Sequence, residues 1–164
     1  MGIARYFPPL AHFAVRQHFP VPVLDAIQQA IAAGEQRHQG QVCFAIEGAL
    51  PLRERVHGRT PRARAHEVFA HLRVWNTEHN SGVLIYVLLA ERAIEIVADR
   101  GIAARVAQGD WQALCERMRD RFAAGEYERG AIEGVRAVSE ILALHFPGNG
   151  SATPNELPDR PVLL

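Results

Sequence analysis

At 164 residues and 48% hydrophobic side chains, the chain can bury one substantial core without disulfides or a structural metal, and one domain is the expectation. Eighteen arginines and no lysine balance eighteen aspartates and glutamates, which excludes a global field drawing the protein to nucleic acid or an anionic membrane. The two cysteines, Cys43 and Cys115, lie within apolar runs and predict buried small hydrophobes, not a disulfide framework, a metal cluster or a reactive thiol.

Residues 1–11 read as an irregular N-terminus. The first twenty residues hold no continuous apolar segment followed by a small-residue cleavage site, so a cytoplasmic location is expected. The longest strongly apolar run, Val83 to Ala90, is too short to span a bilayer. Pro22 suits the first turn of a helix that lines up Val23, Leu24, Ile27, Ala30, Ile31 and Gly34 on one face, with Gly40 as its stop. Gln41 to Ile46 reads as a short buried strand. A polar connection with five arginines from Arg53 to Arg64 follows, and Thr60-Pro61 then cap and open a second helix whose stripe is Ala65, Val68, Phe69, Leu72 and Trp75.

Asn76-Thr77-Glu78-His79-Asn80-Ser81-Gly82 favours turns and caps over helix interiors and is read as a loop. Val83 to Leu89 is a continuous apolar run of the kind covered on both faces. Ala93 to Ala98 follows too closely for a crossover helix, so the two runs are expected to pair as an antiparallel hairpin turning near Glu91-Arg92. A short helical piece after Asp99-Arg100-Gly101 leads to a helix from about Asp110 with Trp111, Leu114, Cys115, Met118 and Phe122 on one stripe. The last helix carries Tyr127, Ala131, Val135, Val138, Ile141, Leu142 and His145, with Gly130 and Gly134 permitting close packing. Residues 147–164, rich in Pro, Asn and Gly, are expected to be a disordered tail, with Val162-Leu163-Leu164 as the part able to dock. The alternation of helices and short strands predicts a three-layer α/β/α sandwich whose mixed sheet contains one antiparallel hairpin.

Leu72-Arg73-Val74-Trp75, Asn80-Ser81-Gly82-Val83-Leu84-Ile85 and Glu95-Ile96-Val97-Ala98-Asp99-Arg100-Gly101-Ile102, followed by Trp111, Phe122, Gly125, Tyr127 and Gly130, resemble the TPM domain family over roughly residues 12 to 146. The resemblance implies a Rossmann-like α/β domain. It also implies a place among bacterial and chloroplast-lumen proteins, some described as acid phosphatases and others as binding calcium or magnesium. Many members carry an export signal, a membrane anchor and an Asp-rich turn before the first helix, where this chain has His18-Phe19-Pro20-Val21-Pro22.

A hairpin returns the chain to the sheet edge it left, which places the loop before Val83 beside Asp99. Asn76, Glu78, Asn80 and Asp99 would then offer the carboxylate and amide oxygens that hard cations such as Ca²⁺ or Mg²⁺ select, with no organic cofactor implied. The same residues also suit a plain polar turn, with Asp99 as a cap or a salt-bridge partner of Arg100. If the cluster were catalytic, the reaction would be phosphomonoester hydrolysis, with Glu78 or Asp99 holding the ion or accepting a proton and Arg100 clamping phosphate. The sequence leaves enzyme and binding module open.

The arginine-rich run has no aromatic for base stacking, and a solvated, partly ion-paired loop is expected there instead of a nucleic-acid site. His66 and His71 stand five apart, about 140° apart around a helix, which argues against a shared zinc. The hairpin edge leaves a protein partner or a homodimer open.

Overall fold

The computed structural model describes residues 9–150 and 154–164. In chain order it contains α1 (Pro9–His18), α2 (Val21–Glu35), β1 (Gln41–Glu47), α3 (Leu52–Val56), α4 (Pro61–His71), β2 (Gly82–Leu88), β3 (Ala93–Ala98), α5 (Arg100–Ala103), α6 (Gln108–Ala123), α7 (Tyr127–His145) and β4 (Val162–Leu163).

The four strands form one sheet in the order β3-β2-β1-β4. β1 pairs in parallel with β2 and with β4, while β2 and β3 form the expected antiparallel hairpin, with Val83 opposite Ala98 and Leu88 opposite Ala93. Every residue of β1 and β2 is buried, as continuous apolar strands require when both sheet faces are covered. Alternate side chains divide them between two cores. Val42, Phe44, Ile46, Val83, Ile85 and Val87 pack under α2, α6 and α7, whereas Cys43, Ala45, Leu84, Tyr86 and Leu88 pack under Ala65 and Val68 of α4. The mixed sheet is thus the middle of the predicted three layers, with the heavier helical layer on one side.

Thr60 caps α4, its Oγ1 accepting from the Ala63 amide at 3.1 Å, as the Thr-Pro pair predicts. α6 and α7 approach closely because Gly130 and Gly134 have no Cβ; one at Gly130 would stand 2.8 Å from the Phe122 ring.

Three expectations need correction. Of the irregular N-terminus predicted over 1–11, residues 1–8 lie outside the described residues, but Pro9–His18 is helical and buries Val15, with Phe19 following it into the first core. His18 stacks on Tyr127 at 4.0 Å and ties α1 to α7.

The tail is not wholly irregular either. Leu157 enters the second core, and Val162–Leu163 add a strand to β1, because a few apolar residues at the right places suffice when an unpaired strand edge supplies backbone partners. Residues 151–153 lie outside the described residues.

Trp75, assigned to the buried stripe of α4, is 50% exposed. The helix ends at His71, Arg73 takes φ +54°, and the tight turn rotates Val74 into the core in its place.

Candidate functional site

The loop ahead of β2 and the end of β3 meet at one edge of the sheet, as the hairpin argument requires. The loop is held from within. The Thr77 Oγ1 accepts from the Ser81 amide at 2.9 Å, and the Ser81 hydroxyl donates to the Gln39 carbonyl at 3.2 Å. Asn80 takes φ +50°, a conformation asparagine tolerates better than most residues. Opposite, the Asp99 amide donates to the Gly82 carbonyl at 2.9 Å, and the Asp99 Oδ1 accepts from the Arg100 amide at 2.7 Å, capping α5.

Of the four predicted oxygen donors, Asn80 and Asp99 both meet Arg100, Asp99 at its amide and Asn80 at its guanidinium. Arg100 Nε donates to Asn80 Oδ1 at 3.2 Å. A Cβ on Gly101 would sit 2.6 Å from the Asn80 carbonyl oxygen and 3.0 Å from that of His79, so α5 is pressed against the loop backbone. Asp99 is buried, and its Oδ2 has no hydrogen-bond partner among the described residues. Asn76 and Glu78 lie on the exposed side of the loop with His79. Among the described residues no three His, Cys, Asp or Glu side chains converge on one point as a metal site.

Sequence reasoning missed Glu156. Its Oε2 accepts from the Glu78 amide at 2.9 Å, bringing a carboxylate of the tail to the rim of the loop, while Gln41 Oε1 holds the Glu156 amide at 2.8 Å. No local signal announces this, since the contact spans 78 residues of sequence.

A second polar centre, also missed, lies at the carboxyl end of β1. Glu47 is fully buried; its Oε2 accepts from the Tyr86 hydroxyl at 2.5 Å and from Arg64 Nε at 2.9 Å, and its Oε1 accepts from Arg64 Nη2 at 2.9 Å. Burial pushes the Tyr86 hydroxyl well above its ordinary value, and the Glu47 carboxylate adds to the shift. Both Glu47 oxygens are satisfied, so this centre is an internal clamp. A glutamate ending an apolar strand was its only mark in the sequence.

The arginine-rich run is partly ion-paired as expected, with Arg55 meeting Glu91 at 3.2 Å, Arg59 meeting Glu67 and Arg62 meeting Glu95 at 3.3 Å, but it is not all loop, since α3 and the start of α4 take up its two ends. Cys43 and Cys115 are buried, and burial pushes their thiols up to about 12 and about 11, which leaves neither reactive. His38, buried beside the Gly40 carbonyl, is pushed down to about 4, chiefly by desolvation.

The fold has solved counterparts. The NMR structure of the BA42 protein from the psychrophilic bacterium Bizionia argentinensis is similar over 99% of both chains, with a TM-score of 0.66 and 23% identity. The solution structure of the N-terminal domain of a P. gingivalis protein is similar over 74% of both chains, with a TM-score of 0.60 and 19% identity. At these identities the likeness shows the fold alone. No curated protein matches the sequence significantly. No helix among the described residues is long and apolar enough to cross a membrane. The TPM domain matches residues 23–141, from the buried face of α2 to the last turns of α7, and on that span the chain belongs to the TPM domain family.

Proposed function

We propose that this TPM domain is a divalent-cation-binding accessory module whose ion is anchored by Asp99 and Asn80. The observation that carries the reading is the Asp99 Oδ2, a buried carboxylate oxygen with no partner among the described residues. A buried carboxylate oxygen is costly to leave unpaired, and carboxylate, amide and carbonyl oxygens suit Ca²⁺ or Mg²⁺ better than zinc, the ion displacing the Arg100 guanidinium from Asn80 Oδ1. Glu78 and Asn76, on the open side of the loop, would complete the shell with water. A set with so few charges predicts weak, millimolar-range binding.

Thermal unfolding of the chelator-stripped protein with and without millimolar Ca²⁺ or Mg²⁺ tests this, because an ion that binds only the folded state must raise its stability. The midpoint is expected to rise, and the rise to vanish in Asp99→Asn, which keeps an oxygen to cap α5. No shift with either ion would leave a protein partner as the ligand of the module. Hydrolysis of a phosphomonoester by the cation-loaded protein, lost in Asp99→Asn, would instead make the site that of a phosphatase.

A further inference from the structure

We propose that residues 154–164 form a strap over the free edge of β1, and that a single proton on Glu35 controls its closure. On β1 the backbone groups of Val42, Phe44 and Ile46 face away from β2, and β4 covers only the far end of that edge, where the Leu164 amide donates to the Ile46 carbonyl at 2.9 Å. At the near end a side chain takes the place of a strand. Glu35, from the last turn of α2, accepts from the Val42 amide at 2.8 Å through Oε1.

The tail crosses this point between fixed anchors. Gln41 Oε1 accepts from the Glu156 and Leu157 amides at 2.8 and 3.1 Å, and Leu157 drops into the second core. Further on, Arg160 pairs with Asp25 at 2.7 Å and donates to Gln28 at 3.1 Å, both on α2. Between the anchors, Asp159 brings a carboxylate within electrostatic reach of Glu35. The other titratable neighbour is the Cys43 thiol of β1, which is neutral, and no ion pair joins Glu35 to a cation among the described residues.

Burial first, and Asp159 as a lesser cause, push the Glu35 carboxyl up to about 7 against the opposing pull of the Val42 amide. With the strap closed, the half-buried Glu35 has the Asp159 carboxylate nearby, so the neutral acid is favoured. Released, the strap takes Asp159 away and lets water in, and the Glu35 acidity returns toward the ordinary carboxylate value. Closure therefore takes up a proton. The strap is tightest below the ordinary carboxylate range, loosens as pH rises toward 7, and stays at its loosest above. Opening would bare the β1 edge and the seat of Leu157, where unpaired backbone groups can recruit an extended strand.

Hydrogen exchange of the full chain between pH 5 and 8, expressed as protection relative to the free peptide rate, reads the strap at the Leu164 amide. Protection is expected to fall by up to about tenfold per pH unit from 5 to 7 and then to level off. Glu35→Gln keeps an oxygen for the Val42 amide and is expected to abolish the slope; Asp159→Asn, on the tail, is expected to reduce it. Equal protection at pH 5 and 8 in the unmodified chain would overturn the proposal, as would a slope that survives Glu35→Gln.

Discussion

Glu47 shows most directly how single residues fix this fold. Its carboxylate is fully buried, and two Arg64 nitrogens and the Tyr86 hydroxyl together satisfy both oxygens. Removing one partner strands the others, so Arg64→Ala is expected to cost about 3–5 kcal/mol in denaturant unfolding, whereas Tyr86→Phe, which leaves the ion pair intact, should cost only about 1–2 kcal/mol. Two further groups, the buried His38 and the half-buried Glu35, give the stability profile opposing slopes. His38, pushed down to about 4, is held neutral in the fold, so its contribution is lost as pH falls from its ordinary range toward 4. Glu35, pushed up to about 7, is favoured neutral, so its contribution is present in acid and lost as pH rises toward 7. Stability between pH 5 and 6.5 should consequently be nearly flat, and Glu35→Gln should unmask a fall of roughly 1 kcal/mol per pH unit on acidification, read from melts across that range.

The elements most exposed to substitution are those the site depends on. At Gly101 any side chain would press on the loop carbonyls, so Gly101→Ala is expected to displace the Asn80 backbone. The variant should blunt the cation response while sparing every proposed oxygen donor, as ion titrations followed by NMR shifts of Asn80 would report. On the outer edge of the sheet, Arg62 Nη1 donates to the Ile96 carbonyl at 2.6 Å and so blocks a backbone acceptor of β3. Arg62→Ala should uncover that acceptor and raise self-association, seen as a concentration-dependent increase in sedimentation, because unguarded edges recruit strands.

These elements were largely legible in the sequence. The periodicities of α2, α6 and α7 and the apolar β1 and β2 rest on burial alone, which local pattern records. Helix ends were less so, since the turn at Arg73 that ejects Trp75 is decided by how the chain enters β2, not by α4 itself.

At the scale of the whole molecule, what the sequence concealed was long-range. That the loop carrying Asn80 lies beside the end of β3 followed from hairpin geometry, and that much of the neighbourhood was legible. Glu156 reaching Glu78, Arg160 reaching Asp25 and β4 joining β1 depend on a low-complexity segment returning across the finished domain, and composition argues against order in such a segment. The tail's few apolar residues gain order only because the rest of the chain has already built a receptacle.

The two cysteines lie in different layers, Cys43 beneath α4 and Cys115 on α6 beneath the opposite face. They are therefore a pair of native clocks. Under a thiol-specific reagent each modifies only when its own layer opens, and burial keeps both slow in the closed state. Matched labelling rates would mean that the sandwich opens as one cooperative unit. Faster labelling of Cys43 would mean that the single-helix layer peels away first, leaving the α2, α6 and α7 side as the last structure to melt.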